Sequence, residues 1–351
     1  MPLSKIKTNS VADAVFEAGP NLIINGGMTI SQRGSSFSFA HDGSRSAYTL
    51  DRFAFAMRNT ADEFDCTISQ VTDAPAGFSN SLKLTTGTAE SAVGADEYYV
   101  FYQPIEAQNL QHLQHGTSNA KSVTVSFYVK SSITGTFGFS VYKADNTPRV
   151  IAKTYTISSA NTWERKTITI EGDTGQSIDN DNGGGMWLYW NMAVGTDWNS
   201  GASTTTWADY GSGTTWFQAS ATNNVVTTAG ATFQLTGVQL EVGEQATPFQ
   251  HRSVTQEKID CFRYYYRYTT TDNPGTRNRW LFNIDDTDSY RRCTHTFPVV
   301  MKGTPAVTVS FYSSYGSGRG TQHINCHSTD CWVDGESAYA FYTDLVADAE
   351  L

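Results

Sequence analysis

From Lys121 to Lys130 every second residue is apolar: Val123, Val125, Phe127 and Val129 alternate with Ser122, Thr124, Ser126 and Tyr128. A period of two sends successive side chains to opposite faces, so this segment suits a strand with one buried and one solvated face and cannot present an apolar stripe as a helix. Phe137, Phe139 and Val141 repeat the pattern. From Thr232 to Gly243 the apolar set is Phe233 and Leu235, then Val238, Leu240 and Val242, so the alternation slips by one residue across Thr236-Gly237. One extra residue restores the facing if the strand bulges there, and glycine supplies the backbone freedom. An all-β chain is expected.

One segment reads as a helix. Ser253 is placed to cap it, with Gln256 three residues on completing a capping box ahead of Ile259 and Phe262, which predicts a helix over 254–261. The 351 residues allow two domains at roughly 150 residues each. Residues 1–20, small, polar and ending in the turn signal Gly19-Pro20, form a leader that attaches the chain to something else. A large β domain is expected over 21–250, a linker helix over 251–262, and a smaller C-terminal β domain, exposed as a tip, over 263–351. Its strands are predicted at Arg263–Tyr268 and near 280–284, 294–300, 306–312 and 338–342, with a turn at Asn273-Pro274-Gly275.

Charge narrows the function classes. Lysine and arginine number 24 against 34 acidic residues, a net charge of −10, which argues against a nucleic-acid partner because phosphate affinity needs clustered cations. There is no apolar run of the length a membrane helix needs, so no insertion is expected, and Asn9, Ser10, Asp13 and Glu17 interrupt any signal-peptide core. Five scattered cysteines, Cys66, Cys261, Cys293, Cys326 and Cys331, do not suggest a secreted disulfide framework and point to folding in a reducing cytosol. No nucleophile elbow, zinc helix, phosphate loop or dinucleotide turn is present, so no catalytic residue and no cofactor is assigned.

The stretch Asn21-Leu22-Ile23-Ile24-Asn25-Gly26-Gly27, together with Leu235-Thr236-Gly237-Val238-Gln239-Leu240-Glu241, resembles the opening and closing of a jelly roll of the carbohydrate-binding-module type. Further pieces resemble bacteriophage tail-fibre and related virion proteins: Ser31-Gln32-Arg33-Gly34, Leu50-Asp51-Arg52-Phe53, Thr247-Pro248-Phe249, Cys261-Phe262-Arg263-Tyr264-Tyr265, Phe297-Pro298-Val299-Val300-Met301 and the terminal Asp348-Ala349-Glu350-Leu351. The resemblance implies a jelly-roll β-sandwich followed by a short helix and a smaller C-terminal β-sandwich. It also implies a homotrimeric protein of the phage tail or capsid surface, made in the bacterial host cytoplasm. Other virion proteins would hold it by its N-terminus, and its β domains would contact host surface polysaccharide or lipopolysaccharide. Met28 and Thr29 stand where calcium-binding members of the jelly-roll class carry an acidic residue, so no structural calcium is expected.

Five of the eight tryptophans, Trp187, Trp190, Trp198, Trp207 and Trp216, fall within one window. Sugar rings stack their C–H faces on aromatic planes while carboxylates and amides take the hydroxyls, so exposed rings of this kind suit a glycan site. Trp198, Trp207, Tyr210 and Trp216 lie in loop-like sequence and are the candidate platforms, with Asp197 and Asp209 as hydroxyl partners. The competing reading makes Met186, Leu188, Trp190 and Met192 an inward strand face, with the loop tryptophans packed on the sandwich or on a neighbouring subunit. Tyr264, Tyr266 and Tyr268 are candidate contacts around a threefold axis.

His323, Cys326, His327 and Cys331 are metal-ligand residue types, but their spacing is not that of a zinc finger, and no metal is expected; Cys326 and Cys331 are an alternative disulfide pair after lysis. Asp179-Asn180-Asp181-Asn182-Gly183 reads as a turn, since Trp190 occupies the position where a calcium loop of the EF-hand type needs glutamate. His112 and His115 read as exposed loop residues. The leading expectation is thus a non-catalytic virion protein that binds glycan. A polysaccharide depolymerase and a purely structural fibre or adaptor are the alternatives.

Overall fold

The computed structural model describes residues 21–40, 43–58, 64–199, 206–210, 225–269, 283–284, 290–315, 319–322, 324–334 and 339–350. The chain divides into two compact units, Met1–Arg252 and Ser253–Leu351.

The first unit contains two antiparallel sheets. One runs β1 (Ser36–Phe39), β4 (Cys66–Val71), β5 (Ser81–Thr86), β13 (Thr232–Val242), β7 (Val123–Ser131) and β10 (Glu164–Ile170). The other runs β12 (Ala208–Asp209), β9 (Arg149–Ile157), β8 (Gly135–Lys143), β11 (Gly184–Val194), β6 (Tyr98–Glu106), β3 (Ala54–Arg58) and β2 (Arg45–Tyr48). Strands close in sequence repeatedly switch sheets, the connectivity of a jelly-roll sandwich. The alternating residues meet between the layers in one core. Ile68, Leu84, Val125, Phe127, Phe233 and Leu240 come from the six-stranded sheet, and Phe55, Phe101, Phe139 and Trp190 from the seven-stranded one. Phe127 meets Trp190 edge-on with ring centres 5.8 Å apart, and Phe101 lies 6.2 Å from Phe233.

The bulge expected in β13 is present. Thr236 pairs with Tyr128 and Gln239 with Ser126, so β13 spends one more residue than β7. Gly237 takes φ +61°, and a Cβ there would lie 2.7 Å from the Phe78 ring. The opening segment and the last strand close the sandwich on each other. Leu22 N–H donates to Leu240 O at 3.1 Å and Val238 N–H to Gly26 O at 3.0 Å, while the Asn21 side chain accepts from Leu240 N–H and donates to Val238 O. A Cβ on Gly26 would come within 2.1 Å of Val238 O, which accounts for glycine there.

The outward face expected of β7 is not solvated along its first half. Thr124 and Ser126 are buried because the chain beyond β13 returns over them. Thr124 Oγ1 donates to Gly243 O at 2.7 Å, and Arg165 bridges Ser126 Oγ and Thr247 O.

The second unit begins with α1 (Val254–Phe262), whose cap is as predicted: Ser253 Oγ accepts from Gln256 N–H at 3.2 Å. The Gln256 side chain completes no box; it turns forward to Asp260 at 2.8 Å. Two antiparallel sheets follow, one ordered β14 (Tyr265–Thr269), β20 (Tyr339–Asp348), β17 (Ala306–Tyr315), the other β15 (Asn283–Ile284), β16 (Tyr290–Thr296), β19 (Ser328–Asp334), β18 (Arg319–Gln322). They enclose a small core of Tyr266, Phe297, Met301, Cys331, Leu345 and Ala347. The strand expected over 294–300 stops at Thr296, before Pro298, which has no N–H to offer a ladder. β18 and most of β19 had no counterpart in the sequence reading, and the turn expected at 273–275 lies outside the described residues.

The tyrosine ridge is corrected. Tyr264 and Tyr266 are buried within this unit rather than standing free for a threefold contact. The Tyr266 ring stacks on His295, its hydroxyl 3.1 Å from Nε2, and Tyr268 packs at the margin of the same core. Cys326 and Cys331 are free thiols, with Cys326 Sγ 3.2 Å from His327 Nδ1, and His323 lies outside the described residues. No helix among the described residues is long and apolar enough to cross a membrane.

Candidate aromatic binding face

With Met186, Leu188, Trp190 and Met192 turned into the core, alternation sends Trp187, Tyr189 and Asn191 to the outer face of the seven-stranded sheet. Strand register continues that face across the sheet. One row holds Tyr48, Ala54, Tyr102, Tyr189, Ser140 and Ala152. The next holds Ser46, Ala56, Val100, Asn191, Gly138 and Thr154. On the other side of the tyrosine row, Trp187 pairs with Tyr142 and Tyr142 with Val150.

The rings form a connected layer. Tyr102 and Tyr189 lie 5.5 Å apart between centres, Tyr48 and Tyr102 6.3 Å, Tyr142 and Trp187 5.6 Å, and Tyr98 meets Trp198 edge-on at 5.3 Å. They pack over a second small apolar cluster of Ala56, Val100 and Tyr189, separate from the core between the sheets. Tyr189, Tyr98 and Tyr142 are pushed above the usual phenol range, chiefly by burial, with neighbouring tyrosines adding to it; Arg58 works against the rise at Tyr98. The rings are therefore neutral phenols that both stack and donate.

Two polar side chains interrupt this layer. Asn191 and Ser140 are each 0% exposed, and neither amide atom of Asn191 nor the Ser140 hydroxyl has a hydrogen-bond partner. Leaving such a group buried and unsatisfied costs about 1–3 kcal/mol. At the rim the charges are paired: Arg58 bonds Asp96 at 3.1 Å and lies over Trp198, Arg149 reaches Asp173 at 3.0 Å and also Asp209, and Arg33 lies over Tyr48.

Of the residues singled out from sequence, Trp198 and Tyr210 join this face. Trp198 sits on a 3-10 turn (Thr196–Trp198) and donates from Nε1 to Asp96 O at 2.7 Å; Tyr210 meets Tyr142 edge-on at 5.9 Å. Asp197 is exposed on the same turn, and Asp209 is held by Arg149 at the sheet edge. Trp207 departs from the expectation of exposure. It is only 8% exposed, its Nε1 donates to Glu171 O at 2.7 Å, and it packs on His115 and the Lys143 ammonium. Trp216 lies outside the described residues.

His115 is likewise not a loop residue on the surface. Burial, and then the positive charge of Lys143, push its pKa down to about 4. Lys143 is itself buried, 2.7 Å from Asp173. Among the described residues no group of three His, Cys, Asp or Glu is arranged to hold a metal.

The residues that sequence reasoning missed are Tyr48, Tyr98, Tyr102, Tyr142, Ser140 and Asn191. The signal was available in Tyr98, Val100 and Tyr102, which alternate around Tyr99 and Phe101, but tryptophan density drew attention to a single strand and its loop.

The fold and this face define an all-β protein with an aromatic layer on one outer sheet. No family model matches the chain, and no curated protein does. Among solved structures it is similar to the enzymatically active domain of bacteriophage CBA120 tailspike protein 4, at 13% identity and a TM-score of 0.32 over 64% of this chain and 21% of that one. It is similar to the CBM22-1–GH10 modules of Clostridium thermocellum xylanase 10B, complexed with xylohexaose, at 10% identity and a TM-score of 0.32 over 65% and 29%. It is also similar to the family 11 carbohydrate-binding module of the C. thermocellum cellulase Lic26A-Cel5E, at 9% identity and a TM-score of 0.30 over 65% and 98%. The chain thus spans about a fifth of the tailspike domain's length.

Proposed function

We propose that this chain is a non-catalytic phage virion protein that binds host cell-surface polysaccharide or lipopolysaccharide through the outer face of its seven-stranded sheet. The observation that carries the reading is the connected layer of half-buried rings, Tyr48, Tyr102, Tyr189, Tyr142 and Trp187, across neighbouring strands. Rings held by a rigid sheet are ordered before a ligand arrives, so stacking a sugar on them costs little conformational entropy. The virion assignment rests on the tail-fibre resemblance of the sequence. Assembly as a trimer would raise the avidity of a weak single face, and a solution mass of one chain would remove that part.

The test is retention of the protein on purified host lipopolysaccharide and capsule, with release of reducing sugar followed in the same samples. Retention without new reducing ends is expected. New reducing ends would replace binding by depolymerisation, and no retention on either material or on intact host cells would overturn the reading.

A further inference from the structure

Asn191 and Ser140 stand on neighbouring strands of the aromatic face. Asn191 lies opposite Gly138 on β8, and Ser140, two residues along β8, lies opposite Tyr189. The two are thus diagonal cross-strand neighbours, a separation that one sugar ring spans. A strand position that asked only for packing would be served as well by an apolar residue of the same shape, because replacing an unsatisfied polar group removes a penalty. Here two such groups adjoin each other, and both belong to the layer of rings.

Resting on the glycan reading above, we infer that Asn191 and Ser140 form the specificity-determining subsite of this face, and that it takes a neutral sugar presenting adjacent free hydroxyls. The amide places an N–H donor and a carbonyl acceptor side by side. Two hydroxyls on neighbouring ring carbons present the complementary acceptor and donor, and the Ser140 hydroxyl accommodates a third. The tyrosines on either side supply the stacking. An anionic sugar is disfavoured because the rim arginines are committed, Arg58 to Asp96 and Arg149 to Asp173 and Asp209, while Asp197 stands exposed at the edge and the whole chain carries −10. Both polar groups are covered in the structure, so the rings beside them turn aside when the sugar enters, a side-chain motion that is fast compared with binding.

The experiment uses the full chain on an array of neutral glycans and of glycans bearing uronate, sialate or phosphate groups. It compares wild type with Asn191→Ala, Ser140→Ala and Tyr102→Ala, each checked by thermal melting. Wild type should bind only neutral glycans with vicinal hydroxyls. Asn191→Ala should weaken that binding by about tenfold or more, the scale of one lost hydrogen-bonded contact, without lowering the melting temperature. Ser140→Ala removes a single atom and serves if the asparagine variant fails to fold. Binding of acidic glycans overturns the inference and leaves the glycan reading standing. So does unchanged neutral binding in both polar variants when Tyr102→Ala loses it; the two groups then hold a buried water. Absence of any bound glycan in wild type overturns the glycan reading, and this inference with it.

Discussion

The two sheets of the first unit present opposite kinds of outer surface. On the six-stranded sheet the outward side chains Gln234, Thr236, Gln239 and Glu241 of β13 are each hydrogen-bonded, to Asp73 and Ser81, to Asn80 O, to Gln250 N–H and Thr247, and to Thr247. The chain itself supplies that cover, from Gly243 to His251, with Phe249 and His251 packed on Phe78. On the seven-stranded sheet the corresponding side chains are aromatic, and Asn191 and Ser140 among them are left unsatisfied. A β-sheet is indifferent to what covers its outer face, so the difference lies in side chains alone. One face is completed by the protein, and the other is in want of a partner.

Four measurements break or sharpen this contrast. The largest effect should come from the core the sheets share: Trp190 is fully buried against Phe53, Phe127 and Phe139. Trp190→Ala should cost about 3–5 kcal/mol in denaturant unfolding. A loss below about 1 kcal/mol would mean that the two layers are not locked together, and comparing their faces would lose its meaning.

Acid comes next, and it acts on one sheet. His115 packs against Trp207 beside β12, at the edge of the seven-stranded sheet. Its pKa falls from an ordinary 6.5 to about 4 on folding. The unfolded chain therefore binds this proton first, and stability is lost as pH falls from 6.5 through 4, by about 3 kcal/mol in all. That part of the acid dependence should vanish in His115→Gln, measured as the difference between melting curves at pH 7 and pH 4. An unchanged difference would place the acid sensitivity elsewhere.

On the open face, Tyr102→Ala should weaken glycan retention by about thirtyfold, the ~2 kcal/mol of a binding hot spot, with little change in melting temperature. The smallest effect belongs to the covered face. Gln239→Ala leaves the Gln250 N–H without its acceptor and should cost about 1 kcal/mol of stability, with retention unaltered. If Gln239→Ala lost retention and Tyr102→Ala kept it, the roles of the two faces would be reversed.

Much of the fold was legible because burial writes its period directly into a strand. Val123 to Val129 and Phe233 to Val242 declared both their inward faces and the bulge between Thr236 and Gln239. The Ser253 cap was equally plain, since a hydroxyl accepting from the N–H three residues on is a local event. The outer face was not legible, because it is assembled by register. Tyr48, Tyr102 and Tyr189 are separated by long stretches of sequence and become a row only when β2, β3, β6 and β11 align. Trp207 misled for a related reason. Its surroundings of Thr, Ala and Asp suggest a loop, whereas its indole is fixed by Glu171 O and by Lys143, neither of which its neighbours in the chain announce.

The seam between Asn21–Gly26 and Val238–Leu240 has a consequence in time. The bonds from Asn21 to Val238 and Leu240 span 217 and 219 residues. During synthesis at about 5–20 residues per second, the opening segment emerges roughly ten to forty seconds before its partner strand exists. Until then β7 and β5 also lack the strand that lies between them. The first unit is thus a structure whose earliest residues are its last to settle, and protease resistance of nascent chains should appear only once β13 has cleared the ribosome.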